Sequence, residues 1–316
     1  MLAYALRRLL AMVPVVVILS VVVFLIVYLT PGDPASTLLG MEASAEDIAA
    51  LNAQMGLDKP PVERFFSWAA AALQGDLGES LFMGVPVMET IAEHFVPTLS
   101  LALLAQLIAV VIAIPCGVVA ALRRGTWADA LLRCVSLLGA AVPGFLMGLL
   151  LMLVFAVNLR VLPVAGYEPL SEGLLVHLRY LALPALALGV VQAALLMRLT
   201  RSALIDTLKS GYVRTARAKG LPEGRVVMRH ALRNASLPIL TSIGFSFGAL
   251  LTGAVVIESI FNIPGLGQLV TSSITRRDYP VIQGVLLVIA LLYSCVNLLV
   301  DILYGVLDPR ARAWKR

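Results

Sequence analysis

Tyr212-Val-Arg-Thr-Ala-Arg-Ala-Lys-Gly220, continued by Leu221-Pro222 and by His230-Ala-Leu-Arg-Asn-Ala-Ser-Leu-Pro238, forms a polar, basic insert between two apolar runs of membrane length. Its residue types suit recognition rather than bond-making. Arg214, Arg217 and Lys219 offer charged donors to carboxylates or to helix-end carbonyls, and Thr215, Ala216 and Ala218 are small enough for a partner backbone to approach. The spacing predicts a short helix from Gly211 to Lys219. Ser210 is its expected cap, Gly220 suits the left-handed position after the last turn, and Pro222 prevents continuation. At 1.5 Å per residue this is a rod of about 13 Å, a length that lies in a groove. A charge at Ala216 is expected to disturb such a contact. A solvated basic loop that only enforces membrane orientation has the same composition, so docking and topology both remain open at this point.

Residues able to make or break bonds are sparse. The chain has no G-x-x-x-x-G-K-[ST] phosphate loop, no H-E-x-x-H and no G-x-S-x-G, and its histidines, His94, His177 and His230, are far apart. Cys116, Cys134 and Cys295 are too few and too scattered for a disulfide framework or a zinc site. No catalytic, cofactor-binding or metal-ligating residue is therefore assigned. Polar residues do fall in or near apolar runs, namely Gln106, Asn158, Gln192, Glu258, Gln283, Asn297 and Asp301. Intramembrane acids are functional candidates by default. Glu258 and Asp301, however, lie within about two turns of the ends of their runs, where hydration lowers the cost of charge, and they are read as structural. An intramembrane enzyme would need a matched nucleophile and base, and an ATP-independent channel or exchanger would need charges along a path. Neither set is evident.

What positions the insert is a membrane scaffold. With 60% hydrophobic and 14% charged residues in 316, the chain has more apolar surface than one water-soluble core can hide. A span needs about 20 apolar residues. Six segments qualify: Leu9 to Thr30, Thr98 to Leu122, Leu131 to Val157, Leu181 to Leu199, Leu237 to Phe261 and Val281 to Leu307. The first exceeds a signal-peptide core and lacks a cleavage site, so it is read as a retained span. The fold class is all-α integral membrane. The organisation follows as a tail and first span in 1–30, an extracytoplasmic loop in 31–97, a five-helix core in 98–307 with a cytoplasmic loop at 200–236, and a tail in 308–316. Pro115, Pro143 and Pro184 are expected to bend their spans. Gly144 with Gly148, and Gly244 with Gly248, have the four-residue spacing of close helix crossings in lipid.

Basic residues set the orientation. With the N-terminus inside, 18 of the 24 Lys and Arg face the cytoplasm: Arg7 and Arg8, then Arg123, Arg124 and Arg133, nine from Arg198 to Arg233, and Arg310, Arg312, Lys315 and Arg316 in the tail. Both termini are then cytoplasmic. The net charge of +5 reports orientation and not a nucleic-acid partner.

The 31–97 loop is too long to be structureless. Ser44 can cap a helix with Glu46 and Asp47 in its first turn, Ile48, Leu51 and Met55 on one face, and Gly56 as its stop. A second helix starts at Pro60-Pro61, presents Phe65, Phe66 and Trp68, and ends at Gln74-Gly75. The loop reads equally as a cap over the outer ends of the spans or as a platform for an external protein.

Taken in order, these words resemble the permeases of binding-protein-dependent ABC importers. Their cytoplasmic loop carries an E-A-A-x-x-x-G coupling motif. Here the seven residues are Arg214-Thr-Ala-Arg-Ala-Lys-Gly220, the form usual in the dipeptide, oligopeptide and nickel branch. Further matches are Leu29-Thr-Pro-Gly-Asp-Pro-Ala35, Gly56-Leu-Asp, Gly75-Asp-Leu-Gly78, Pro97-Thr-Leu opening the second span, Leu162-Pro163 with Gly166-Tyr167, Glu258-Ser-Ile-Phe-Asn-Ile-Pro-Gly-Leu-Gly267, Arg277-Asp-Tyr-Pro280 and Leu307-Asp-Pro-Arg310. The resemblance implies a type I permease fold in the bacterial cytoplasmic membrane, working with a second homologous permease, two cytosolic ATP-binding subunits and an extracytoplasmic substrate-binding protein. ATP and Mg would be bound by those subunits, with no cofactor in this chain. Tyr212, Arg214, Thr215, Ala216, Arg217, Ala218, Lys219 and Gly220 would couple to the ATPase. The implied cargo is a dipeptide or oligopeptide, with nickel or a metal chelate as the alternative.

Overall fold

A computed structural model describes residues 2–29, 35, 44–54 and 59–307. Most of the 29–35 motif, the expected helix end at Met55 and Gly56 with Gly56-Leu-Asp, and the 308–316 tail lie outside the described residues. Those residues are helical throughout their regular parts, with one isolated antiparallel bridge between Glu79 and Pro86.

The helix α1 (Leu2–Leu29) covers the first predicted span. In the following loop α2 (Ala45–Gln54) begins as expected: the Ser44 hydroxyl oxygen accepts the Asp47 N–H at 3.1 Å and its proton goes to the Asp47 carboxylate at 2.6 Å. Helix α3 (Pro61–Leu73) ends at Gln74, with Gly75 left-handed at φ +85°. Its Phe65 and Trp68 rings pack on Phe24 of α1, with centroids 5.3 and 5.8 Å away, while Phe66 faces out. The loop thus caps the end of the first span, as one of its two readings required.

The second span departs from expectation. Helix α4 (Val87–Leu122) starts eleven residues before Thr98, so Pro97 lies inside it and does not open it. Thr90, Glu93 and His94 hide this extension from an apolar window, but a helix needs apolar residues only within lipid. Its 36 residues span about 54 Å, well beyond a hydrocarbon core of about 30 Å.

The third run is broken. Helix α5 (Trp127–Ala141) ends before Pro143, and α6 (Gly144–Leu151), continued by a π-helical stretch Met152–Asn158, leaves at 100° to it. Pro143 has no N–H to donate and forces Val142 into an extended conformation (ψ 122°), which accounts for a sharper break than a bend. Pro115 and Pro184 instead lie within unbroken helices. Helix α7 (Leu174–Leu208) continues unbroken past Pro184 and Gly189 and is the most enclosed of the spans. After α8 (Gly211–Ala218), a turn at Glu223–Arg225 and a π-helical stretch Val226–Ala231 lead into α9 (Leu232–Phe261). A short helix α10 (Leu266–Arg276) folds back before the last span, α11 (Tyr279–Leu307). Counting the bent pair once gives six crossings, in agreement with the sequence.

Helices α4 and α7 form the centre. Ala105, Ala109, Ala113, Gly117 and Ala121 recur every four residues as a buried stripe on α4. A Cβ at Gly117 would stand 2.9 Å from the Met197 carbonyl oxygen of α7, and one at Gly189 would stand 2.8 Å from the Ala105 carbonyl oxygen of α4. In lipid, where helices gain little from leaving apolar solvent, this close contact is what holds them together. Of the glycines singled out by spacing, a Cβ on Gly148 would stand 3.2 Å from Ile257 and Phe261, one on Gly244 3.0 Å from Val300 and one on Gly248 2.5 Å from the Tyr293 ring, whereas one on Gly144 would meet open space.

Among the described residues, helix α1 packs along α11 and α3. Gln283 donates to the Val23 and Phe24 carbonyls at 3.4 and 3.2 Å, and Arg8 pairs with Asp301 at 2.9 Å.

Candidate functional site

Helix α8 is bounded by local chemistry. Ser210 is extended (φ −66°, ψ 151°) and Gly220 is left-handed (φ +74°), as expected. Ser210 is not a side-chain cap, however, because its hydroxyl donates to the Thr207 carbonyl at 2.6 Å. It closes the preceding turn instead.

The helix has one inward stripe. Val213 (0% exposed) and Ala216 (7%), three residues apart, sit in an apolar cluster with Leu204, Val226, Ala231 and Ala235. Arg214, Thr215 and Ala218 occupy the opposite, exposed face, with Tyr212 and Lys219 on one flank and Arg217 on the other. Ala216 therefore belongs to the foot of the helix and not to a docking face, which corrects the sequence reading. Composition marked it as small, but only the packing shows which way it points. Arg217 pairs with Glu223, at 2.5 and 3.1 Å, and this carboxylate raises the guanidinium above its ordinary pKa. The Tyr212 hydroxyl accepts from the Asn234 amide at 2.7 Å. Asn234 lies in the His230–Pro238 stretch quoted from the sequence, without this role, and Glu223 was not singled out.

Near the same end, Asp129 (1% exposed) accepts from Nε and Nη2 of Arg201 at 2.7 and 2.8 Å and from the Gly125 N–H at 3.1 Å, with Arg133 at 3.5 Å. This joins the start of α5 to α7, ten residues before α8. A lone acid among Arg123, Arg124 and Arg133 was the available signal.

The other polar cluster lies a full span away, across α9. Glu258 was expected at a hydrated boundary, yet it is fully enclosed (0% exposed), because the chain turns at left-handed Asn262 and lays α10 back over it. Its carboxylate accepts the Thr98 hydroxyl at 2.6 Å and the Gly267 and Gln268 N–H groups at 2.7 and 3.1 Å. The Thr98 oxygen in turn accepts the Leu266 N–H at 2.7 Å. Beyond α10, Asp278 (1% exposed) accepts the Ser80 hydroxyl at 2.5 Å and the Leu81 and Phe82 N–H groups at 3.2 and 3.3 Å. Gly166 N–H donates to the Phe261 carbonyl at 2.7 Å. The motifs Gly75–Gly78, Gly166-Tyr167, Glu258–Gly267 and Arg277–Pro280, scattered in sequence, meet at this one end.

Three comparisons weigh on these arrangements. The family described as binding-protein-dependent transport system inner membrane component matches residues 113–313, and its N-terminal part matches residues 1–102. The chain belongs to this family. It is a multi-pass permease subunit of a binding-protein-dependent ABC importer of the bacterial inner membrane, in the peptide branch, and the family implies ATP-binding and substrate-binding partner subunits. The chain is 42% identical over 312 residues to the glutathione transport system permease protein GsiC of Escherichia coli O6:H1, covering 99% of both chains. It is 40% identical over 309 residues to the probable peptide ABC transporter permease protein y4tP of Sinorhizobium fredii, covering 98% of this chain and 99% of that one. Among solved structures, the MetNI methionine ABC transporter in inward facing conformations matches with a TM-score of 0.57 at 17% identity, covering 70% of this chain and 97% of that chain. That likeness concerns the fold, which is the type I permease fold.

Proposed function

We propose that this permease moves short peptides across the inner membrane and takes its driving motion through the exposed face of α8. A cytosolic ATP-binding subunit seats on Arg214, Thr215 and Ala218, flanked by Tyr212, Arg217, Lys219 and the Gly220 turn, and a second permease completes the path. The observation that carries this reading is the two-sided character of α8. Val213 and Ala216 fasten it to the spans, and Arg214, Thr215 and Ala218 face away and are exposed among the described residues. ATP and Mg act in the partner subunit. Closing of the ATPase pair pushes α8, and the spans alternate access. A push of this kind requires ATP to bind one state better by several kcal/mol. The relatives named for glutathione and peptide favour a peptide cargo over nickel.

Ala218→Asp places a charge at the centre of the exposed face without entering the core. In reconstituted transporter it is expected to lower ATP-driven uptake at least about tenfold, the size of one lost contact of about 1.4 kcal/mol, with assembled spans retained. Unchanged uptake would remove α8 from the ATPase contact, and uptake without any ATPase subunit would point to a channel or exchanger.

The orientation proposed places both termini and α8 in the cytoplasm, where most basic residues gather. Single cysteines replacing Arg217 and Asp47 in a cysteine-free background are expected to label from opposite sides with an impermeant thiol reagent. Labelling of both from outside would contradict it.

A further inference from the structure

Glu258 is a fully enclosed carboxylate inside α9 (0% exposed), and coupling through α8 does not use it. Its setting is specific. Leu266, Gly267 and Gln268 are the first three residues of α10, whose N–H groups have no partner within their own helix. Thr98 of α4 takes the first, and Glu258 of α9 takes the second and third. Thr98 also donates to Glu258, so one connected network joins three helices with each of these donors satisfied. Gly265 and Gly267 leave room for it: a Cβ on either would fall onto the Glu258 carboxylate, and one on Gly267 would also strike the Val255 backbone. The far end of α10 is held as well, by Asp278 N–H on the Ser273 carbonyl at 2.9 Å and by Asp278 on the Ser80 turn. Leu77, Val87, Ile91, Leu266, Val270 and Val281 fill the space between.

We propose that Glu258, with Thr98, is a positioning residue of the transport cycle, locking α10 to α4 and α9 so that the outer end of this subunit moves as one body and cargo passes beside it. This rests on the permease reading above. Swinging α10 away would strand a buried carboxylate and three N–H groups together, whereas rotation of the whole block breaks none of these bonds.

The test uses the complete transporter, with partner permease, ATPases and binding protein, in vesicles. Glu258→Gln keeps an acceptor for Gly267 and Gln268 and presents an amide N–H to Thr98. The Thr98 hydroxyl can then turn to the His94 carbonyl, 3.5 Å away. Peptide uptake per ATP hydrolysed is expected to stay within about twofold of the parent. Thr98→Val deprives Leu266 N–H of its acceptor and is expected to lower that ratio about tenfold, with the amount of assembled transporter and basal ATP hydrolysis unchanged. Thr98→Ser is expected to restore it. A fall in Glu258→Gln as deep as that in Thr98→Val would assign the role to charge and overturn the proposal. Normal coupling in Thr98→Val, or loss only in proportion to missing protein, would overturn it too. If the parent transporter shows no ATP-driven uptake, the permease coupling reading fails instead, whatever the variants do.

Discussion

Helices α8 and α10 are both short, both flanked by a glycine–proline turn, and attached in opposite ways. α10 is held at its N-terminus by hydroxyl and carboxylate groups from two other helices, at its C-terminus by Asp278, and along its side by Leu266, Leu269 and Val270. α8 stands on two apolar side chains, Val213 and Ala216, with a surface ion pair and one Tyr212–Asn234 hydrogen bond beside them. The difference is one of attachment chemistry. Satisfied buried polar groups fix a geometry because breaking any bond leaves an orphan in a dry site. A narrow apolar foot attaches a helix while leaving most of its circumference exposed.

The comparison breaks most visibly at Ala216. A carboxylate there has no partner and must leave the core, so Ala216→Asp is expected to cost about 4 kcal/mol and to release α8 from the spans. Protease sensitivity of the 209–225 segment and the midpoint of thermal unfolding in detergent would show it. An effect as mild on the fold as that of Ala218→Asp would mean the foot is misassigned.

At the opposite end, Asp278→Ala removes one acceptor from three donors and is expected to cost about 3 kcal/mol, lowering the unfolding midpoint by several degrees. Asp278→Asn, which keeps one acceptor oxygen, should recover roughly half.

The smallest effect is expected at Arg217. Both partners of its pair with Glu223 are more than 40% exposed, so Arg217→Ala should change stability by only about 0.5 kcal/mol, falling further with added salt. A loss above about 2 kcal/mol would show that α8 is held by its charges and not by its foot.

Much of this architecture is written locally. The six crossings, the two helices of the first loop with Ser44 as a cap, and the span of α8 between Ser210 and Gly220 depend on residues within a few positions of one another, which is the range over which apolar runs, caps and left-handed glycines act. The errors share a different cause. Glu258 was assigned to a hydrated rim and Ala216 to a docking face, and in each case packing against residues outside its own helix reversed the assignment: Thr98 and Glu258 lie 160 residues apart and share a hydrogen bond. The break at Pro143 lies between these cases, since the proline announces a disruption but its neighbours set the angle.

By itself, then, the sequence determined which segments enter lipid and where the polar helix between them starts and stops, because hydrophobic length and backbone chemistry are properties of a single segment. Which side of that helix faces inward, and whether an acid near the end of a span meets water or three hydrogen-bond donors, was decided only when distant helices packed together, because burial and polar satisfaction belong to the assembled fold and to no residue alone.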